Sequence, residues 1–153
     1  MSIDVANHLG AVRRSVQALE REGKPARAVI LERSYDTDID DLWDAVTNAE
    51  RLPRWFLPVE GDLKPGGRYQ LKGNAGGTIT ACEPPVHLGL TWEMMGQVSW
   101  VEVRLAREAT GRTRFTLTHT APLSDFWTQY GPGAVGVGWE GGLMGLALHL
   151  LDP

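Results

Sequence analysis

The first part of the chain carries apolar residues at helical spacing. From Val5 onward they recur at alternating steps of four and three residues, with charged residues between them. This period predicts one amphipathic helix, which Gly23 and Pro25 would end. We therefore expect a helix over residues 1–24, ahead of a main domain over residues 25–153. The apolar stripe consists of Val5, Leu9, Val12, Val16 and Leu19.

A stripe of this kind must be covered, and the sequence leaves two alternatives. The helix either docks on its own domain or joins two copies of the chain in a homodimer. A main domain that is complete without this helix favours the homodimer. A coiled coil is not indicated, because two heptads of the pattern are fewer than the three or four that identify one.

The last part of the chain predicts a second long helix, from Gly131 to Leu151. Glu140 is its only charged residue, and seven glycines interrupt its apolar character. The stretch is barely long enough to span a membrane, and the charge and the glycines weaken it further. A membrane span is therefore disfavoured. A strip of glycines beside its apolar stripe allows close packing on a sheet, or else leaves room there. The stripe is Trp139, Leu143, Leu146 and Leu150, and the strip is Gly138, Gly141, Gly142 and Gly145.

Strands and two short helices are predicted between these segments. Ala28–Tyr35 reads as a strand, and Thr37–Asp40 resembles the capping box of a short helix. Ala49–Phe56 predicts a second short helix, broken near Pro53. Five runs bounded by turn residues follow, at the spacing of an antiparallel meander. They are Gly67–Lys72, Gly77–Cys82, His87–Met94, Gln97–Ala106 and Arg112–Thr120.

The turns of this meander set its register. With Met95 and Gly96 as a two-residue loop, apolar residues of neighbouring strands share one face, whereas a one-residue slip would scatter them. The predicted opposite pairs are Met94–Gln97, Leu90–Val101, Leu88–Val103, Val103–Phe115, Val101–Leu117, Ala81–Leu88, Ile79–Leu90, Leu71–Ile79 and Tyr69–Ala81. The outer face would carry Glu93, Trp100, Glu102, Arg104, Arg114 and Thr116.

Length and charge narrow the classes of function. The 153 residues suffice for one domain, and 42% apolar with 22% charged residues are typical of a globular protein. A net charge of −4 provides no basic surface for nucleic acid. The first residues, Met1 to Asp4, contain no secretory apolar segment. We therefore expect a cytoplasmic protein with neither nucleic-acid nor membrane partners.

Neither a cofactor nor a metal is expected. Gly131–Gly136 matches G-x-G-x-x-G but lacks the strands of a dinucleotide site around it. Cys82 is the only cysteine, which excludes an internal disulfide and a cysteine-rich zinc site. His87, His119 and His149 lack the spacing of metal ligands, and the first two fall on opposite faces of the predicted sheet.

His119 is the inner-face residue best suited to acid–base chemistry. It would lie opposite Ser99, which lies opposite Trp92, so that the three form one row across an aliphatic face. The imidazole either orients a ligand or bonds Ser99 within the core. As a polar anchor in an apolar wall, His119 should have a pKa that burial lowers, which keeps the ring neutral near pH 7.

Several strings of the sequence, in their order, resemble one known family, the bacterial activator of 90-kDa heat-shock-protein ATPase homologue-like branch of the SRPBCC, or START-like, proteins. The resemblance covers about residues 27–150. It implies the α+β helix-grip fold of the birch-pollen allergen, in which a curved antiparallel sheet wraps round a long C-terminal helix. The N-terminal helix would be an addition to that fold. The strings are Val29–Tyr35, Asp40–Ala45, Arg51–Phe56, Gly66–Tyr69, Thr91–Glu93 and Leu117–Thr120.

The resemblance also implies a cavity between the sheet and the C-terminal helix that takes hydrophobic small molecules. We favour binding of such a molecule, hydrophobic or aromatic, without catalysis. One alternative is a chaperone-activator type of interaction module that uses the outer face around Trp100. The other is a cyclase- or hydrolase-type enzyme that uses His119. The expected ligand-binding residues are Trp55, Phe56, Tyr69, Leu71, Leu90, Trp92, Ser99, Val101, Val103, Phe115, Leu117, His119, Trp139, Leu143 and Leu146.

Overall fold

The computed structural model describes residues 13–21, 23–62, 64–73, 75–94, 97–122 and 143–150. Its helices are α1 (Ile39–Thr47), α2 (Leu52–Trp55) and α3, of which residues 143–150 are described. Its strands are β1 (Arg13–Arg21), β2 (Lys24–Tyr35), β3 (Val59–Gly61), β4 (Arg68–Leu71), β5 (Gly76–Glu83), β6 (His87–Met94), β7 (Gln97–Ala109) and β8 (Arg112–Pro122). They form one eight-stranded antiparallel sheet of order β1-β2-β8-β7-β6-β5-β4-β3.

Alternation along the central strands produces one buried face of the sheet. Leu31 of β2, Val101 of β7 and Leu117 of β8 are each at most 3% exposed. Helices α1 and α3 complete this core with Leu42 and Leu146, which are fully buried. The large antiparallel sheet, the few helices and the C-terminal helix agree with the predicted helix-grip fold. No helix in the described ranges is long and apolar enough to cross a membrane.

The first residues of each short helix favour the start of a helix. Asp40 and Asp41 stand in the first turn of α1, where the helix dipole favours negative charge. The Thr37 hydroxyl donates to the Asp41 carboxylate at 2.6 Å. Helix α2 is shorter than the predicted Ala49–Phe56. Pro53 lies in its first turn, where a missing N–H breaks no helical hydrogen bond.

The predicted N-terminal helix is wrong over residues 13–21, which form β1. The chain turns back between Arg21 and Lys24, and β1 pairs with β2 without a register shift from Arg21–Lys24 to Arg13–Glu32. Gly23 has a φ of 77°, which suits a two-residue hairpin loop. These residues therefore belong to the sheet of the main domain, and β2 begins before the predicted Ala28.

Hairpin pairing overrides the helical period of this segment. An isolated helix of this length is marginal in water, whereas β1 gains a ladder partner along all of its nine residues. Val16 and Leu19 fall on opposite faces of the strand and are 53% and 37% exposed. They therefore form no shared stripe. The other stripe residues, Val5, Leu9 and Val12, lie outside the described residues.

Except in β5 beyond Ile79, the predicted faces of the meander are confirmed, and so are five of its pairs around β6, including Met94–Gln97 and Trp92–Ser99. Leu90 lies opposite Val101, Leu88 opposite Val103 and Ile79 opposite Leu90. Between β7 and β8 the pairing is corrected by two residues. The chain turns after Ala109, which lies opposite Arg112, and this displaces the predicted register by three residues; the register shift between Arg107 and Ala109 then takes back one. This even displacement leaves the apolar side chains on the same face. The corrected pairs are Val103–Leu117, Val101–His119 and Leu105–Phe115.

The other two joints also differ from the predicted pairing. The turn between β4 and β5 is tighter than predicted, so that Tyr69 lies opposite Gly77 rather than Ala81. The amide of Leu71 accordingly donates to the carbonyl of Ala75 instead of facing Ile79. A bulge between Ile79 and Ala81 then replaces the pair Ala81–Leu88 with Cys82–Leu88.

Gly145 supports close helix packing. A Cβ atom at this position would lie 2.8 Å from the carbonyl oxygen of Trp55, so α3 approaches α2 more closely than a side chain would permit. The other members of the predicted strip, Gly138, Gly141 and Gly142, lie outside the described residues, as does the Gly131–Gly136 motif.

Candidate functional site

An apolar cavity of about 140 Å³ lies between the sheet and the first two helices. Its helical wall consists of Val46, Thr47, Leu52, Trp55 and the adjoining Phe56. Its sheet wall consists of Val59, Tyr69, Leu71, Ile79, Cys82, Leu88, Leu90, Trp92, Val101, Val103, Phe115 and Leu117. The described lining residues come from the sheet and from α1, α2 and their adjoining residues, and none of them belongs to the described part of α3.

The bulge in β5 contributes a side chain that sequence analysis missed. Because it inserts one residue, the inward position after Ile79 passes to Cys82, three residues later. The thiol of Cys82 is free and half-buried in the cavity wall. The only sequence signal for this arrangement is the three-residue spacing of two apolar side chains in an otherwise alternating strand.

The hydroxyl groups of the wall already have partners within the protein. The Tyr69 hydroxyl donates to the carbonyl of Thr91 at 2.6 Å, and the Thr47 hydroxyl donates to the carbonyl of Trp43 at 2.6 Å. Burial, with the nearby Glu93 carboxylate, raises the pKa of Tyr69 well above its usual value, so the phenol stays neutral. The described wall is therefore largely apolar, and its two hydroxyl groups are already bonded.

His119 and Ser99 form a hydrogen-bonded pair at the side of this cavity. The Ser99 Oγ lies 2.7 Å from His119 Nε2 and donates to the carbonyl of Trp92 at 3.1 Å. Their pairing is diagonal, since His119 stands directly opposite Val101. The Trp92 and His119 rings meet edge-on with centroids 6.0 Å apart. Burial lowers the pKa of His119 to about 4, as predicted in direction, so its ring is neutral at pH 7.

A charged cluster holds α2 over the cavity. Arg51, which precedes α2, contacts the carboxylates of Asp41 and Asp44 at 2.9 and 3.1 Å. Its Nε donates to His149 Nε2 of α3 at 3.1 Å. Burial, with the guanidinium groups of Arg51 and Arg54, lowers the pKa of His149, which keeps its ring a neutral acceptor. The indole of Trp55 is also fixed, by donation to the carbonyl of Ala45 at 2.8 Å.

The structure separates the predicted ligand-binding residues that it describes into three groups. Ser99 and His119 do not line the cavity, and Leu143 and Leu146 belong to the adjoining core, at 2% and 0% exposure. Trp139 lies outside the described residues. Those that line the cavity are Trp55, Phe56, Tyr69, Leu71, Leu90, Trp92, Val101, Val103, Phe115 and Leu117.

Trp100 lies on the outer face of the sheet, as predicted. It is half-buried, and its ring is covered by Arg21 of β1, whose guanidinium carbon lies 4.2 Å from the ring centroid. On the same face His87 lies between Glu83 and Glu102, at 3.2 and 3.1 Å. Within the described part of the chain, no group of three or more His, Cys, Asp or Glu side chains could hold a metal ion.

Comparison with known proteins identifies similar chains. The family model for Activator of Hsp90 ATPase homolog 1-like protein matches residues 36–150. The crystal structure of CalU16 from Micromonospora echinospora is 36% identical, with a TM-score of 0.79 over 90% of this chain and 85% of that one. PFC0360w, an HSP90 activator from Plasmodium falciparum, is 26% identical, with a TM-score of 0.59 over 65% and 77% of the two chains. MLL2253 from Mesorhizobium loti, at 24% identity, shares the fold with a TM-score of 0.72 over 82% and 97%. No curated protein matches.

Proposed function

The chain belongs to the family of Activator of Hsp90 ATPase homolog 1-like proteins, and we propose that it binds a small, neutral, apolar molecule in the cavity beneath α1 and α2. The observation that carries this proposal is the composition of the wall. Nearly all of its side chains are aliphatic or aromatic, and the hydroxyls of Thr47 and Tyr69 are already bonded within the protein. A charged ligand would lose its hydration there without gaining a polar partner.

The volume of the cavity indicates the size of the ligand. A buried apolar cavity of about 150 Å³ is sufficient for one benzene molecule, and this cavity measures about 140 Å³. We therefore infer a ligand or ligand moiety of one ring. Burying ~150 Å² of apolar area at ~25 cal/mol per Å² stabilises such a complex by about 4 kcal/mol, which corresponds to a Kd of ~1 mM for the ring alone.

Titration with toluene and indole, followed by NMR chemical shifts of the wild-type chain into the millimolar range, tests this proposal. Cys82→Phe should fill the cavity from its wall and abolish the shifts. Thr80→Phe is the matched control, because Thr80 is an exposed residue of the same strand. A folded Cys82→Phe variant that binds both probes as the wild type does would exclude this cavity as their site.

Chaperone-ATPase activation is a second candidate, favoured by the family and by the Plasmodium falciparum neighbour, which is an HSP90 activator. In this chain such a function would use the outer face around Trp100. It predicts that the chain accelerates the ATPase of a cognate 90-kDa chaperone, that Trp100→Ala reduces this effect, and that Cys82→Phe does not. An unchanged ATPase rate at saturating chain concentration would contradict it.

The enzyme alternative receives less support from the geometry. His119 is its inner-face acid–base candidate, and a pKa of about 4 makes the imidazole a weak general base at neutral pH. The ring also stands beside the cavity rather than in its wall.

A further inference from the structure

The two edges of the described sheet differ in length. The edge strand β3 has three residues, whereas the opposite edge strand β1 has nine, all exposed. Short strands, prolines, bulges and charged side chains are the usual protection of a sheet edge, and of these β1 has only the charges. β1 contains no proline, and its pairing with β2 has no register shift. This edge is therefore regular enough to take a further strand.

The hairpin determines which backbone groups of β1 face outward. Arg21 and Lys24 flank the two-residue loop and form a hydrogen-bonded pair in such hairpins, so the odd-numbered residues of β1 bond β2. The even-numbered residues then direct their N–H and C=O groups away from the sheet. Pro25 agrees with this assignment, because it lies opposite Glu20, where a non-hydrogen-bonded pair needs no N–H from the proline.

We propose that β1 pairs antiparallel with β1 of a second copy, about a twofold axis at Gln17. This register makes Gln17 a non-hydrogen-bonded pair with itself and bonds the outward groups of residues 14, 16, 18 and 20 to their counterparts. It also places Arg14 opposite the partner's Glu20, twice by symmetry, and Val16 opposite the partner's Ala18. An axis at Val16 would instead place Arg14 opposite the partner's Ala18 and lose both charge pairs.

The ends of the strand are compatible with this pairing. Arg13 would lie opposite the partner's Arg21, but both side chains already have other contacts. Arg13 lies 3.8 Å from Glu32, and Arg21 stacks on Trp100. Val16, 53% exposed, would gain cover from the partner strand. The cavity lies across β3–β8, away from β1, so this homodimer leaves it open and does not depend on the proposed function.

A cysteine at the proposed axis tests the register. Non-hydrogen-bonded partners have Cα atoms about 4.5 Å apart, which a disulfide can bridge. Gln17→Cys should therefore form a disulfide-linked dimer under mild oxidation. The matched control is Ser15→Cys on the same exposed strand, which would lie opposite the partner's Leu19 and ~13 Å along the strand from its own counterpart. Equal cross-linking of the two variants, or none in Gln17→Cys, would overturn the proposal.

Exchange of charges tests the pairing without cysteine chemistry. In sedimentation equilibrium of the full chain, the wild type should be dimeric, and Arg14→Glu or Glu20→Arg should raise the dimer dissociation constant roughly tenfold by bringing like charges together. The double variant Arg14→Glu/Glu20→Arg should recover the wild-type constant. A monomeric wild type, as expected if another segment covers the edge, or a double variant no tighter than the single ones, would overturn the homodimer.

Discussion

The inner face of β2–β8 and the edge strand β1 belong to one sheet but differ in what covers them. Helices α1 and α3 lie over the inner face, where Leu31 and Leu42 are at most 1% exposed. No residue of β1 is buried, and the strand is held by its ladder with β2 and by the contact of Arg21 with Trp100. Side-chain packing therefore fixes the first region, and backbone pairing fixes the second.

This difference predicts an uneven distribution of stability. Burial of apolar area supplies most of the folding free energy, so the covered face should unfold only with the whole domain. The β1 ladder buries little and should open more easily. The same substitution should therefore have different consequences in the two regions.

Two leucines on adjacent strands provide the most direct comparison. Leu31→Ala removes a side chain that is 1% exposed and should lower the free energy of unfolding by about 2–5 kcal/mol. Leu19→Ala, at a residue that is 37% exposed, should cost less than about 1 kcal/mol. Urea denaturation measures both. Equal losses would mean that the Leu19 side chain is packed as closely as that of Leu31.

The pH dependence of stability tests whether the covered face is dry around His119. Its pKa is about 4 in the folded protein, against about 6.5 in an unfolded chain, so the unfolded state binds the proton more readily. The resulting stability is complete above pH 6.5 and is lost as the pH falls toward 4. From this group we expect a loss of about 3 kcal/mol between pH 7 and pH 4.

His119→Gln separates this contribution from that of the carboxylates. The glutamine keeps a donor and an acceptor near Ser99 but does not titrate, so the variant should lose about 3 kcal/mol less than the wild type over the same pH range. Parallel pH profiles for the two proteins, measured by urea unfolding, would show that water reaches the imidazole.

The same contrast explains what the sequence could predict. On the covered face, two-residue alternation identified the inner side chains, and even register corrections left Val103 and Leu117 on that face. Alternation cannot locate a bulge, so Cys82 was missed. In β1, Val16 and Leu19 are three residues apart. This spacing fits one face of a helix, and it fits equally well a strand whose two faces are both exposed. Only pairing with β2 decides between them.

Long-range polar contacts were also beyond prediction. The contact between Arg51 and His149 joins residues 98 positions apart, and no local pattern connects them. The pair of Ser99 and His119 was predicted because both belong to neighbouring strands of one meander. Its diagonal geometry followed only from the corrected register of β7 and β8.

Substitution of Gly145 tests how closely α3 packs against α2. Alanine normally stabilises a helix relative to glycine by about 1 kcal/mol. Here its Cβ would lie 2.8 Å from the carbonyl oxygen of Trp55, so Gly145→Ala should fail to stabilise the protein. Gly145→Leu should lower the free energy of unfolding by about 1–3 kcal/mol, because α3 must move away from α2. Stabilisation by either substitution would show that the two helices tolerate separation.

The smallest expected effect is at the β1 end, where Arg21 lies over Trp100. A guanidinium group over an indole ring contributes about 0.5–1 kcal/mol at an exposed site, so Arg21→Gln should destabilise the protein by that amount. Arg13→Gln is the control at the other end of the strand, because its ion pair with Glu32 is long, at 3.8 Å, and should contribute almost nothing. Hydrogen exchange is the more selective measurement, since Arg21→Gln should accelerate exchange of the odd-numbered amides of β1 while leaving those of β7 and β8 unchanged. If both variants accelerate exchange equally, the Trp100 contact does not hold the strand, and backbone pairing alone keeps β1 in the sheet.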